Sequence, residues 1–202
     1  MKTLNCLRAL FFRDVRTLFR SILGTVLGSA FLWFFLFDAL GDDHLCYAVL
    51  IGPALCVPWI LMKKDGGERA FPYPGWVVVL EKYLLGVLTF LLGLALVLCA
   101  EQISCLLGND PGEGRGMLPV AMAMALMAQA CFFAVVFAWY GREKVKEDEL
   151  LEVVLSCALI PVCGGLLYLF SGFIYSAPQV LAVVIILAML FSFTLSVRLY
   201  ER

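Results

Sequence analysis

The sequence predicts an all-α membrane protein with six transmembrane helices, in which residues 1–202 form a single transmembrane domain. Hydrophobic residues make up 63% of the 202 residues, charged residues 15%, and the mean hydropathy is +0.96. A soluble domain is close to half apolar and a quarter charged, so this excess is too large for one buried core. Six apolar runs have the length that a helix needs to cross a bilayer, about 20 residues.

The first 20 residues predict an amphipathic helix that lies along the inner membrane surface. At 100° per residue, one narrow face carries Leu4, Leu7, Phe11, Val15 and Leu18. Most basic residues of this segment, Arg13 among them, fall on the opposite face. Such a helix is attracted by anionic lipid. The alternative is a positively charged anchor that serves only to set the topology.

The apolar runs define the predicted spans in order along the chain. None of them alternates with the period of two that a lipid-facing barrel strand would show, so helices are favoured. The runs cover about residues 21–40, 45–62, 83–107, 117–140, 150–171 and 178–197. Pro53 and Pro58 in the second span should bend it locally.

The distribution of basic residues predicts the orientation. Of the 15 lysines and arginines, 14 lie before the first span, between the second and third, after the fourth or after the sixth. Arg115 stands alone on the opposite side. Because positive residues resist translocation, both termini are expected in the cytoplasm, which requires an even number of spans.

Motifs for catalysis are missing from the sequence. His44 is the only histidine, and the glycine-rich segment 112–116 has neither the spacing nor the lysine of a phosphate-binding loop. The eight cysteines are scattered and form no CxxC pair. We therefore expect no ATP hydrolysis, no metal and no cofactor in this chain, and nothing indicates a nucleic-acid partner.

Three polar residues inside the predicted spans are candidates for function because polar groups are costly in a membrane. Glu101 and Gln102 lie toward the outer part of the third span, and Gln129 lies near the middle of the fourth. They could line a substrate route. Alternatively, Glu101 reaches the outer interface and Gln129 forms a hydrogen bond with a neighbouring helix.

The segment 63–82 is the longest hydrophilic connection. It begins with a charged stretch and then becomes aromatic at Phe71-Pro72 and Trp76, shortly before the third span. This pattern predicts a docking surface for a cytoplasmic partner. The alternative is an interfacial segment in which Trp76 and Tyr83 anchor at the level of the lipid headgroups.

The chain resembles the short permeases of the ABC-2 transporter group, bacterial membrane subunits that pair with a separate ATPase. The resemblance rests on Phe71-Pro72, on the sequence Val-Leu-Glu-Lys-Tyr-Leu-Leu-Gly at 79–86, on the basic N-terminal segment and on the overall layout. The basic residues that usually follow the Leu-Pro step of the family are replaced here by Tyr73-Pro74-Gly75-Trp76.

The resemblance implies a multi-pass permease of the bacterial cytoplasmic membrane, an exporter that works as a dimer with a second copy or a homologue. Its membrane partners would include lipid, and its cytoplasmic ATPase partner would hold ATP and Mg²⁺. The segment 63–82 would be the coupling loop. The residues that the resemblance places near the ATPase contact are Arg13, Phe71, Pro72, Trp76 and Lys82.

Two other classes remain open at the level of sequence. A non-transporting membrane protein, such as an immunity or assembly factor, would also need only packed helices and a docking surface. A membrane-embedded enzyme that modifies lipids would need carboxylates or histidines converging at the inner face, and the sequence shows no such set.

Overall fold

The computed structural model describes residues 2–37, 43–63, 73–106, 114–140 and 178–201. Every regular element in these ranges is an α-helix, which confirms the predicted helical fold class. The helices are α1 (Lys2–Phe37), α2 (Asp43–Lys63), α3 (Gly75–Leu106), α4 (Gly114–Tyr140) and α5 (Pro178–Tyr200).

Three of the described helices contain segments long and apolar enough to cross a membrane. These segments are Gly75–Ile103, Leu118–Ala138 and Gln179–Tyr200, and shorter apolar segments occur at Phe19–Phe31 and Val49–Pro58. The chain is therefore a helical protein with the character of a membrane protein. The predicted span at 150–171 lies outside the described residues, and both the number six and the orientation stay predictions.

The two largest differences from the predicted boundaries concern α1 and α3. Helix α1 continues through residue 20 without interruption, so the amphipathic segment and the first apolar run belong to one helix. Helix α3 begins at Gly75, eight residues before the predicted span, and so includes part of the predicted loop 63–82. The reason is packing, because Val77, Val78 and Val79 are buried in the core.

The contacts between helices give their directions. Phe137 and Tyr200 are in ring contact near the ends of α4 and α5, and Ser192 contacts Ala130 about two turns earlier in each helix, so α4 and α5 are parallel. Tyr83 of α3 meets Ser192 and Ser196, whereas Gly75 lies against Glu201, so α3 is antiparallel to α5.

The core has two parts that lie at different levels of the bundle. One is built around Ile22, Leu61, Val79 and Phe137, at the end where α2, α4 and α5 finish and α3 begins. The other is built around Val26, Leu50, Val97 and Ala121. The start of α3 and the last turns of three other helices therefore share one end of the bundle, which we call the α3-start end.

Candidate functional site

An ion-paired cluster joins α1 to α3 near the α3-start end. The Lys82 Nζ donates to Oδ2 of Asp14 at 2.7 Å, and the Arg13 Nε donates to Oδ1 of the same carboxylate at 2.6 Å. Lys82 also lies 3.2 Å from Oε2 of Glu81. Two positive and two negative side chains thus meet in one place, and Asp14 links the cations of the two helices.

The cluster is desolvated on its α3 side. The side chains of Glu81 and Lys82 are 0% exposed, and that of Asp14 is 3% exposed, whereas Arg13 keeps 42% of its side chain exposed. Burial alone would raise the pKa of Asp14, but the hydrogen bonds and positive charges of Arg13 and Lys82 outweigh it and lower the pKa. The carboxylate therefore stays ionised across the physiological pH range.

The local sequence explains why these groups face one another. On a helical wheel Asp14 lies within 60° of Leu7, Phe11 and Leu18, so it projects from the apolar face of α1. That face packs on α3, where the apolar sequence 77–80 is followed directly by Glu81 and Lys82. A carboxylate on an apolar face requires an opposite charge, and Lys82 supplies it.

A second, uncharged polar cluster lies next to the first, between α3, α4 and α5. The hydroxyl group of Tyr83 lies 2.6 Å from the Ser192 hydroxyl and 3.0 Å from the Ser196 hydroxyl. Ser192 also donates to the backbone carbonyl of Ala130. The Tyr83 ring stacks on Phe133 with 4.4 Å between the ring centroids. Tyr83 is therefore a buried core residue rather than the headgroup anchor considered from the sequence.

The structure brings together two of the five residues that the resemblance placed near an ATPase contact. Arg13 and Lys82 belong to one cluster. Each pairs with a different carboxylate oxygen of Asp14, which connects them. Trp76 lies in the first turn of α3 and is 43% exposed. Phe71 and Pro72 lie outside the described residues.

The three polar span residues do not form a common site. Gln129 is 1% exposed and packs on α3, where a Cβ added to Gly86 would come within 2.0 Å of its Nε2. Glu101 is half-buried and Gln102 is exposed. They lie fifteen or more residues from Gly86 along α3, a distance of about 22 Å. Gln129 is thus at a contact between helices.

Reasoning from sequence missed the residues that connect the site. Asp14 carried a signal, since an acidic residue on the apolar face of an otherwise basic amphipathic helix indicates a buried partner. Ser192 and Ser196 carried a weaker one, because their i, i+4 spacing places two hydroxyl groups on one face of α5. Within the part of the chain that the structure describes, no group of three or more potential metal ligands occurs.

The fold and the cluster together define an all-helical protein of membrane character, in which the N-terminal helix is ion-paired to the start of a potential spanning helix. No protein-family model, no curated protein and no solved structure matches this chain.

Proposed function

We propose that the chain is the permease subunit of an ATP-driven exporter of the ABC-2 type in a bacterial cytoplasmic membrane. Two permease subunits, either identical or homologous, would form the translocation route. A separate cytoplasmic subunit would bind and hydrolyse ATP with Mg²⁺, because this sequence contains no phosphate-binding loop.

The observation that carries the proposal is the cluster of Arg13, Asp14 and Lys82. The resemblance assigned Arg13 and Lys82 to the ATPase contact although they are 69 positions apart, and both charges converge on one carboxylate. Their cluster lies near the α3-start end, which the distribution of basic residues predicts to be cytoplasmic. This is the place where a cytoplasmic ATPase would act on the helices.

The geometry supports a mechanical route from partner to membrane. An ATPase that contacts the exposed ring of Trp76 pushes on the first turn of α3. The motion passes along the helix to Lys82, less than two turns later, and through Asp14 to α1. Separating one partner from a buried ion pair costs about 3–5 kcal/mol, so the two helices move together rather than apart.

Copurification tests the proposal. The tagged chain is extracted from its native membrane in mild detergent, and everything that copurifies is identified and quantified by mass spectrometry. We expect a nucleotide-binding ATPase in near-equal amount with the wild-type chain. Trp76→Ala should lose this subunit, because it removes the exposed aromatic surface. Phe191→Ala is the matched control, since Phe191 is 70% exposed but lies on α5.

A second variant distinguishes binding of the ATPase from the coupling of its hydrolysis to the helices. Asp14→Asn keeps Trp76 intact, so the ATPase should still copurify, but the rate of ATP hydrolysis by the purified complex should fall because α1 and α3 are no longer linked by charge. If the chain instead copurifies alone or with an unrelated membrane protein, while a known transporter in the same preparation keeps its ATPase, the permease proposal fails. An immunity or assembly factor then becomes the better explanation.

A further inference from the structure

A groove runs between the N-terminal half of α1 and the first half of α3. Its volume is about 360 Å³, and its lining consists of four apolar side chains from each helix and a single charged one, Arg8. Close to the groove, Lys82 of α3 pairs with Asp14 of α1. The N-terminal half of α1 therefore lies alongside α3 instead of extending away from the bundle.

The groove is open on its outer side. Leu4 and Phe12 of α1 and Leu84 and Leu91 of α3 are all exposed large apolar side chains. Leu84 and Leu91 are seven residues apart and thus lie on one face of α3. This face belongs to the segment Gly75–Ile103, which is long and apolar enough to span a membrane. The surroundings that such a surface meets in a membrane are hydrocarbon chains.

Arg8 gives the groove a specific electrostatic feature. Its guanidinium carbon lies 5.7 Å from the centroid of the Phe12 ring, so the cation is held over an aromatic face at the edge of the apolar lining. Arg8 is exposed, and α1 carries three further exposed arginines, Arg13, Arg16 and Arg20. A ligand that fits must therefore combine a hydrocarbon chain with one anionic group.

We infer that this groove binds one anionic phospholipid, with an acyl chain between α1 and α3 and the phosphate group on Arg8. Charge complementarity selects this occupant, because a bilayer supplies hydrocarbon and phosphate in one molecule and the cytoplasmic leaflet is rich in anionic lipids. Arginine binds phosphate oxygens through two parallel N–H donors, and this geometry distinguishes a phosphate site from general attraction to a charged surface. The site does not depend on the transport proposal.

The test uses native mass spectrometry of the full-length protein in detergent. The protein is titrated with phosphatidylglycerol and, separately, with phosphatidylcholine of the same acyl chains. We expect one tightly retained phosphatidylglycerol and weaker retention of phosphatidylcholine. Arg8→Gln should weaken phosphatidylglycerol binding about tenfold or more, as expected for loss of a charge-assisted hydrogen bond. Arg8→Lys should lie between the two because it keeps the charge but loses the bidentate geometry.

Two further variants make the result decisive. Arg16→Gln removes an exposed arginine of the same helix that does not line the groove, and it should change binding less than twofold. Leu88→Trp fills the groove and should weaken retention of both lipids. Circular dichroism and a single monodisperse peak in gel filtration establish that each variant is folded before titration.

The inference is overturned by any of three results. Equal effects of Arg8→Gln and Arg16→Gln would show attraction to surface charge without a site. Saturation by soluble glycerol phosphate, without an acyl chain, would show that the groove takes no lipid chain. A dimer in the mass spectrum that Leu88→Trp dissociates would show that a second copy of the chain occupies the groove.

Discussion

Removing the charge of Lys82 should destabilise the protein more than any other single change in the ion-paired cluster. Lys82→Met keeps an unbranched apolar stem but deletes an ammonium group that is 0% exposed and lies 2.7 Å from Asp14 and 3.2 Å from Glu81. Two carboxylates then remain at the interface of α1 and α3 without that cation. Removing one partner of a buried ion pair costs about 3–5 kcal/mol.

This loss of unfolding free energy corresponds to a decrease in the melting temperature. For a chain of this size, 1 kcal/mol corresponds to about 2–4 °C, so the expected decrease in Tm is roughly 6–20 °C. The assay is thermal unfolding of the detergent-purified protein, followed by intrinsic tryptophan fluorescence. Arg16→Gln is the matched control, since exposed substitutions outside special features stay within about 0.5 kcal/mol.

A double-mutant cycle identifies the interaction behind the decrease. Asp14→Asn and Lys82→Met are measured singly and together, and the double variant should be less destabilised than the sum by about 1.5–3 kcal/mol, the range for a hydrogen bond between charged groups. Strict additivity of the two effects, or a Lys82→Met protein that melts within 2 °C of the wild type, would refute the argument that this pair joins the helices.

Three further predictions can be checked with the same unfolding assay. Gly86→Ala should cost about 1–3 kcal/mol, because the new Cβ would lie 2.0 Å from the Gln129 amide nitrogen and 2.8 Å from Phe133, and adding Gln129→Ala should restore part of the loss. Tyr83→Phe should cost about 0.5–1.5 kcal/mol, because it removes the hydroxyl shared with two serines but keeps the ring that stacks on Phe133. The pKa of Asp14 lies below its ordinary value of 3.8, so its carboxylate stabilises the fold above about pH 4 and loses this effect as the pH falls further. The difference in Tm between the wild type and Asp14→Asn should accordingly be constant from about pH 5 to 8 and shrink below about pH 4.

The sequence was most informative about helices that a single continuous segment specifies. The apolar runs that become α3, α4 and α5 are recognisable from the sequence, because each is about long enough to cross a membrane as a helix and none shows the period of two of a barrel strand. The amphipathic pattern before residue 20 likewise indicated a helix, which is part of α1. Boundaries were less accurate, and α3 begins at Gly75 because the valines that precede Glu81 contribute to the core.

The cluster of Arg13, Asp14 and Lys82 contains two residues that the resemblance points to. The place of Asp14 on the apolar face of α1 indicates a buried partner, but no local pattern identifies Lys82 as that partner. Tyr83 was considered as an interfacial anchor, since tyrosine favours that position, and the structure buries it against α4 and α5. The apolar groove beside Arg8 could not be anticipated, because the residues of its two walls are at least 72 positions apart in the sequence.

Composition, hydropathy and helical periodicity by themselves determined that this chain is helical and has the character of a membrane protein. These properties depend on residues within a few turns of one another, so the linear sequence contains them. Only the tertiary structure decided which polar groups meet. The pairing of Asp14 with Lys82 joins positions 68 residues apart, and the pairing of Tyr83 with Ser192 joins positions 109 apart. Such contacts depend on how helices pack and in which direction each one runs, and no local pattern specifies either.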